Sequence, residues 1–465
     1  MPSLRGSRQI RPEDPLDNTS NLGEKGPTKP EALPVVILAS ACLVMLGVLL
    51  YVGRWLVFWR DEWVLIFTRP DPTPRSVIAP FFDTLIAIPV LVYQALLAVF
   101  GLRSYLPYLL VDWGAHFVVA FLLYRIVKRR SGTVLGLVAG ISTVFLGSGF
   151  EVLLQPFQLQ YLLAIIGGLV AIDQLDVGRP AIAAIALLPA VASSGLGVIY
   201  AGLIVVWGIL RRHPPTILAA VPAIVAYGWW YVGWGAEIGH LSGPGLNPIE
   251  GAYSVIFGMG AAVSGVTGLP PERFALVGVA LAVGVLVGVG VLARGGYRPD
   301  PLAGAAIAAL AAEQILRALN RGQFGVEYGA RSGYVYAGVV FVWLVICGLV
   351  GNRLPKHRAV PLIAAILIVP MVLGNMRQFA GAAVTHRDWR ATELAELQLI
   401  ESLRADPHLA LDVQPDDTTA IEVRPGPYLT AIDRFGRPTL GYDWQPNVDA
   451  AAVEAARSRL LTGSP

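Results

Sequence analysis

Apolar runs near the ~20 residues that an α-helix needs to cross a bilayer recur along this chain. The first spans 33–58. Others follow at roughly 82–100, 105–127, 132–148, 158–175, 180–193, 194–210, 216–234, 252–267, 273–293, 301–319, 334–351 and 359–375. Only 14% of residues are charged, against about a quarter in an ordinary soluble domain. The chain is therefore a polytopic membrane protein. Its net charge of +3 and lack of a long basic tract argue against nucleic acid. Cys42 and Cys347 both lie in apolar runs and read as small buried hydrophobes, not as a disulfide or metal pair. No CxxC, HExxH, Walker A or strand-linked GxGxxG pattern stands out.

Loop charge decides which runs cross. The basic loops carry Arg125/Lys128/Arg129/Arg130, Arg211/Arg212, Arg294/Arg298 and Arg353/Lys356/Arg358. All four fall on the cytosolic side under the positive-inside rule only if 82–100 and 252–267 do not cross. The first of these contains Asp83, Pro89, Tyr93 and Gln94, and reads as an interfacial helix. The second is short and rich in Gly and Ala. About eleven spans remain, with the N-terminus cytosolic and the C-terminus outside. Runs 180–193 and 194–210 meet at "SSGLG" as a tight hairpin.

Residues 1–32 are polar and read as a disordered cytosolic tail, 33–375 as the membrane domain, and 376–465 as a small outside domain. The last contains one helical stretch, "DWRATELAELQLIESLR", followed by strand-like "LALDV" and "TAIEV", so an α+β segment is expected. Trp229, Trp230 and Trp234 read as an interfacial belt.

Ionisable residues inside spans are costly and are functional candidates. Asp112 and His116 lie one helical turn apart, as do Glu313 and Arg317. The bland readings are a structural hydrogen bond for the first pair and mutual neutralisation for the second. In this topology all four fall in the outer half of the membrane. Asp61, Glu62, Asp83, Glu151, Arg321, Glu327, Arg331 and Arg377 lie at or beyond its outer edge. A transporter needs polarity through the whole thickness; here it stops partway, which suits a site where a lipid-linked headgroup meets an outside acceptor. Arg317, Arg321 and Arg331 are the phosphate candidates, since guanidinium pairs bidentately with phosphate oxygens.

In "FWRDEW", Asp61 and Glu62 directly follow the first span. A partly dry carboxylate gains proton affinity and suits a general base. Adjacent residues point apart, so the two acids are not expected to share one task.

A first span followed by an outside "DE", a surface helix and "SYLPYLL" resembles the GT-C glycosyltransferases, whose protein O-mannosyltransferases and lipid A aminoarabinose transferases share that layout. "FWRDEW", "IPVLVYQALLAVFGLRSYLPYLL", "GSGFEVLLQPFQ", "SSGLG" and "GPYLTAIDRFGRP" resemble, more narrowly, a group of mainly actinobacterial GT-C-like membrane proteins, over about 50 to 440. The resemblance implies an all-α GT-C-like bundle and a polyprenyl-phosphate sugar donor. It also implies a cell-envelope glycan, lipid or protein acceptor, and inverting transfer outside the cytoplasmic membrane. Asp61 carries over as the catalytic carboxylate with Glu62 beside it, and Glu151 as the second acid in the next outside loop with Gln155 and Gln158 nearby. A divalent cation, Mg or Mn, is the implied cofactor, with Asp61 and Glu151 as ligands and Asp83 in support. Asp112, His116, Glu313 and Tyr334 are secondary candidates. Two departures are visible. "PFFDTL" keeps Asp83 but lacks the histidines of related sequences. In "RSGYVY", Gly333 stands where Arg is usual, with Arg331 as substitute. The rival readings are a non-catalytic lipid-binding scaffold and a transporter or flippase.

Overall fold

The computed structural model describes residues 32–82, 84–235, 246–351, 359–438 and 448–463. The N-terminal tail, Asp83, and the basic Arg353, Lys356 and Arg358 lie outside the described residues. The chain opens with α1 (Ala32–Gly53). Three short helices follow, α2 (Asp61–Thr68), α3 (Pro74–Ile78) and α4 (Ala87–Phe100). The bundle continues with α5 (Leu106–Ser131), α6 (Thr133–Val144), short α7 (Phe150–Leu154), α8 (Leu159–Asp176), α9 (Pro180–Val191), α10 (Gly195–Arg211) and α11 (Pro214–Gly233). It is completed by α12 (Pro248–Thr267), α13 (Pro271–Arg294), α14 (Pro301–Arg321), α15 (Ser332–Val350) and α16 (Ala359–Ser402). Two tail helices, α17 (Pro425–Phe435) and α18 (Ala450–Thr462), follow.

This is an all-α polytopic membrane protein. Nine of the described helices are long and apolar enough to cross a bilayer: α1, α5, α8, α11, α12, α13, α14, α15 and α16. The count is ten if α6 and the 147–154 segment, bent by 40° at their junction, form one span. Eleven were expected. The difference lies in α6, α9, α10 and α12. The 12-residue α9 and 17-residue α10 reach only about 18 and 26 Å. They form the expected hairpin, closed where Gly197 meets the Ala190 carbonyl so closely that a Cβ would lie 2.2 Å from its oxygen.

Helix α12 was expected to be short; it has 20 residues. Its contacts nevertheless stay at one end of the bundle. Ser254 binds Arg317, and Gly258 abuts Gln314. Gly265 abuts Val335 and Ser148. These partners on α14 and α15 lie within about two turns of one end, so α12 slants through that half. Its backbone touches that of α13, where a Cβ on Gly278 would lie 1.9 Å from the Gly260 carbonyl oxygen. Small residues permit such close approach in membranes.

The basic loops gather at the opposite end. Arg125 and Arg129 pair with Asp173 at 3.1 and 2.9 Å. Arg130 pairs with Asp176 and, at 3.1 Å, with Asp300. Arg130 and Arg211 both lie over the Trp207 ring, and the Asp300 N–H donates to the Gly348 carbonyl. Three of the four basic loops thus share one face. The segment 59–104 lies at the other end. There Trp230 donates to the Ile78 carbonyl, and Gly195, at the α9–α10 tip, donates to Thr84. Helix α4 has 14 residues and turns back at this end without crossing.

The tail differs from its expected form. The described residues contain no strand, only an isolated bridge between Phe81 and Thr84. "LALDV" and "TAIEV" are turns and bends. The Asp416 carboxylate accepts from the backbone N–H groups of Thr418, Thr419 and Ala420 at 2.7, 2.7 and 3.2 Å. A side chain thereby replaces the ladder partner that a strand would need. The boundary at 375/376 falls inside α16, which runs unbroken for 44 residues. That helix carries the tail as an extension of the bundle, and a shared apolar core joins α1, α2, α4, α16, α17 and α18.

Candidate functional site

At the end away from the basic loops, α2 begins with Asp61 and Glu62 in its first turn. The preceding Arg60 has φ +48°, a left-handed conformation that non-glycine residues rarely adopt. Its neighbours hold it there. The Glu62 carboxylate accepts from the Trp59 N–H at 2.9 Å, the Tyr105 hydroxyl at 2.7 Å and the Tyr93 hydroxyl at 2.5 Å. Glu62 is fully buried. Burial lifts its pKa to about 7, against the opposing pull of Arg390 and these three donors. Glu62 ties α2, α4 and the start of α5 together through these three hydrogen bonds. Its commitment directs Asp61 elsewhere, since successive helical positions diverge by about 100°.

Asp61 is partly buried and takes no hydrogen bond or ion pair from another described residue. Burial raises its pKa, while Arg331, Arg60 and Arg321 act to lower it; the nearby Glu151 reinforces the rise. Of the expected convergence of Asp61 and Glu151 with Arg317, Arg321 and Arg331, part is present: Asp61 feels the charges of Arg331, Arg321 and Glu151, whereas Arg317 is engaged with Gln314 and Ser254. Glu151, in the first turn of α7, accepts from Arg331 Nε at 2.9 and 3.1 Å and from the Gly333 N–H at 3.1 Å. The Glu151 N–H in turn donates to Ser332 Oγ. This cross-link joins α7 to the start of α15. Arg331 also donates to the Tyr328 hydroxyl at 2.5 Å, and Arg321 lies over the Phe82 ring.

Gln155 and Gln158 flank a short 3-10 turn between α7 and α8, and both are buried. Neither side-chain amide oxygen has a hydrogen-bond partner among the described residues. Tyr334 packs near Tyr161 and Tyr328, with ring centroids 6.4 and 5.8 Å away.

The other candidates sit apart from this cluster or have other work. Arg317 is buried and spends two of its nitrogens on Gln314 and Ser254, at 2.9 to 3.0 Å. It fastens α12 to α14, and the Glu313–Arg317 ion pair of the bland reading does not form among the described residues. Neither Glu313 oxygen has a hydrogen bond of ordinary geometry among the described residues. Asp112 and His116 do not bond to each other. His116 meets the Tyr336 hydroxyl at 2.8 Å and the Val144 carbonyl at 3.2 Å, while both Asp112 oxygens are buried without a hydrogen-bond partner among the described residues. Asp83 lies outside the described residues.

The expected cation finds a poor donor set. The Glu151 oxygens already bear a guanidinium, and among the described residues no group of three or more His, Cys, Asp or Glu side chains is arranged to hold a metal ion. Asp61 acts on Glu422 as well as on Glu151, so three carboxylates stand among Arg60, Arg321 and Arg331.

Several participants were not flagged by the sequence. Tyr93 and Tyr105 hold Glu62. The tail roofs the site: Trp59 Nε1 donates to the Thr419 carbonyl at 3.1 Å, Arg60 to the Thr418 carbonyl at 3.3 Å, and Trp63 Nε1 to Glu393 at 2.9 Å. The buried Arg390 lies over Trp59, 4.3 Å from its ring centroid. Aromatic flanks around the acid pair were the available signal; their partners lie some 330 to 360 residues away, beyond any local pattern.

Comparison of the chain with family models, with curated proteins and with solved structures found no match.

Proposed function

We propose that this protein is a GT-C-type membrane glycosyltransferase. It moves a sugar from a polyprenyl-phosphate donor to a hydroxyl of a cell-envelope acceptor, with inversion, outside the cytoplasmic membrane. The observation that carries the reading is Asp61: a carboxylate with no hydrogen-bond or ion-pair partner among the described residues, in a partly dry setting among Arg60, Arg321 and Arg331. Desolvation raises its affinity for a proton, as a general base requires. In the transfer, the acceptor oxygen bonds to the anomeric carbon and gives its proton to Asp61. The anomeric carbon–phosphate oxygen bond breaks, and the polyprenyl phosphate leaves with the electron pair. Arg331, aimed by Glu151, and Arg321 stabilise the leaving phosphate. Glu62 holds the scaffold and moves no proton. No step is routed through a metal.

The gathering of three basic loops at the opposite end supports a cytosolic placement for that end under the positive-inside rule. Asp61 and the tail then face outward, and the N-terminus is cytosolic. A second reading, lipid-linked sugar binding without turnover, draws support from the Glu151–Arg331 pair, which partly neutralises the main phosphate candidate. Both readings are tested with purified protein, a polyprenyl-phosphate-linked sugar and the Asp61→Asn variant. Turnover in wild type and its loss in the variant supports the transferase. Binding with no turnover in wild type selects the second reading, and undiminished turnover in Asp61→Asn removes the mechanism.

A further inference from the structure

Helix α4 is amphipathic in the opposite sense to a helix that faces water. Leu91, Ala95, Ala98 and Val99 are exposed, at the i, i+4, i+7, i+8 spacing of one helical stripe, and Val99 is 72% exposed. The polar residues point inward. Tyr93 donates to Glu62, and Gln94 Nε2 donates to the carbonyls of Arg69 and Asp71 at 3.1 and 2.8 Å. Leu106 and Leu110, at the start of α5, are exposed as well. Such a face belongs against hydrocarbon. Where the stripe ends, it meets charge. A groove of about 310 Å³ opens there, walled by residues 97–101, Arg103, Arg434 and Phe435. Backbone contacts fix its shape. The Leu102 N–H donates to the Phe435 carbonyl at 3.0 Å, and a Cβ on Gly101 would lie 2.2 Å from that same oxygen. Arg103 packs on Gly436, where a Cβ would lie 2.7 Å from its Cγ. Arg434 lies over the Phe435 ring and donates from Nη1 and Nη2 to the Asp71 carboxylate, from Nη1 at 3.0 Å. Asp71 therefore shows that an anion is accepted at this guanidinium.

We propose that this groove is a headgroup site for an anionic phospholipid whose headgroup carries hydroxyl groups. Its phosphate oxygens accept from Arg103 and Arg434, in the charge-assisted geometry that guanidinium favours. Its hydroxyls donate to the C-terminal carbonyls of α4, which carry partial negative charge and suit a donor better than a bare anion. Its acyl chains run along the exposed stripe of α4. Charge and apolar surface thus meet in the order in which a lipid presents them, which a soluble anion does not match. Asp71 competes with the phosphate for Arg434, so its charge limits the affinity. The inference does not depend on the transferase reading.

The test uses full-length protein in nanodiscs of mixed phosphatidylglycerol and phosphatidylcholine. A photoreactive analogue of each lipid is cross-linked and mapped on the chain, and native mass spectrometry counts the lipids and subunits retained. The variants are Arg103→Gln/Arg434→Gln together and Asp71→Asn, each checked for a near-native thermal transition. Wild type is expected to cross-link phosphatidylglycerol within residues 97–103 and 434–435 in preference to phosphatidylcholine. The double variant should lose about tenfold of that cross-link, the scale of a charge-assisted hydrogen bond. Asp71→Asn should increase it. Unchanged cross-links in the double variant, or no preference in wild type, overturn the proposal. An equal loss of both lipids means that the groove holds hydrocarbon without reading charge, which also overturns it. Displacement by a stoichiometric amount of polyprenyl monophosphate would make this a donor site instead, and a dimer lost in the double variant would make it a contact between copies. Either result overturns the phospholipid assignment.

Discussion

Arg331 Nε lies 2.9 Å from Glu151 Oε1, although the two residues stand 180 positions apart in the chain. The pair closes α7 against the start of α15 and gives the neighbourhood of Asp61 its shape. Both side chains are partly buried, so their attraction exceeds that of a surface pair without reaching that of a dry one. Single removal of either partner should cost more than half of what the double removal costs. In a double-mutant cycle with Glu151→Gln and Arg331→Gln, thermal stability in detergent should show a coupling of about 1 kcal/mol. Additive losses would show that the contact does not organise the site.

Asp61→Asn should insert, fold and bind lipid-linked sugar as wild type does, and should lose at least about a hundredfold in transfer rate, the usual scale for a removed general base. The check is release of polyprenyl phosphate in single-turnover conditions, beside an unchanged thermal transition. Normal turnover in this variant would contradict the assigned role.

Glu62 should behave differently. Glu62→Ala leaves the Tyr93 and Tyr105 hydroxyls and the Trp59 N–H without their acceptor. The loss should be about 2–4 kcal/mol of stability, read as a lowered thermal midpoint. The pH dependence has a defined sign. The folded-state pKa of Glu62 is raised to about 7 from 4.5, so the folded protein binds this proton more tightly than the unfolded chain does. That contribution is full below about pH 4.5 and fades as pH rises through about 7. Wild type should therefore lose stability between pH 5 and pH 8. Glu62→Gln, which cannot ionise, should show a shallower decline over that window.

The tail docks through contacts of unequal weight. Arg434 pairs with Asp71, but both are about half exposed. Arg434→Ala should change stability by less than about 1 kcal/mol. Trp63 is fully buried, and its Nε1–H reaches Glu393. Trp63→Phe should cost about 1–3 kcal/mol by leaving that oxygen unsatisfied. Thermal unfolding of the two variants side by side checks the ranking, and a larger effect at Arg434 would reverse it.

Sidedness is directly testable. With Cys42 and Cys347 replaced by Ser, single cysteines at Asp71 and Arg212 should label from opposite sides of the membrane. Asp71→Cys should react with an impermeant thiol reagent added outside intact cells, and Arg212→Cys only after permeabilisation. The reverse pattern would place Asp61 in the cytosol and end the proposed reaction.

The sequence by itself determined that the chain is helical and membrane-embedded, because recurring apolar runs leave few other solutions. It led to the expectation that Asp61 and Glu151 would gather with Arg317, Arg321 and Arg331 at one end; Asp61 does feel Glu151, Arg321 and Arg331, but Arg317 is bound to Ser254 and buried Asp173 pairs with Arg125 and Arg129 at the other end. Helical spacing and loop charge are local quantities, and they carry that much. It did not tell that Glu62 is spent on Tyr93 and Tyr105, that Arg317 ties α14 to α12, or that Asp112 and His116 ignore each other. It read "TAIEV" as a strand, where Asp416 instead captures the backbone donors. Each of these outcomes is a choice of partner made among groups brought together only by packing. A buried polar atom takes the neighbour that the fold supplies, and that neighbour is often hundreds of residues away. Spacing along the chain names the groups that need partners, and only the tertiary structure assigns them.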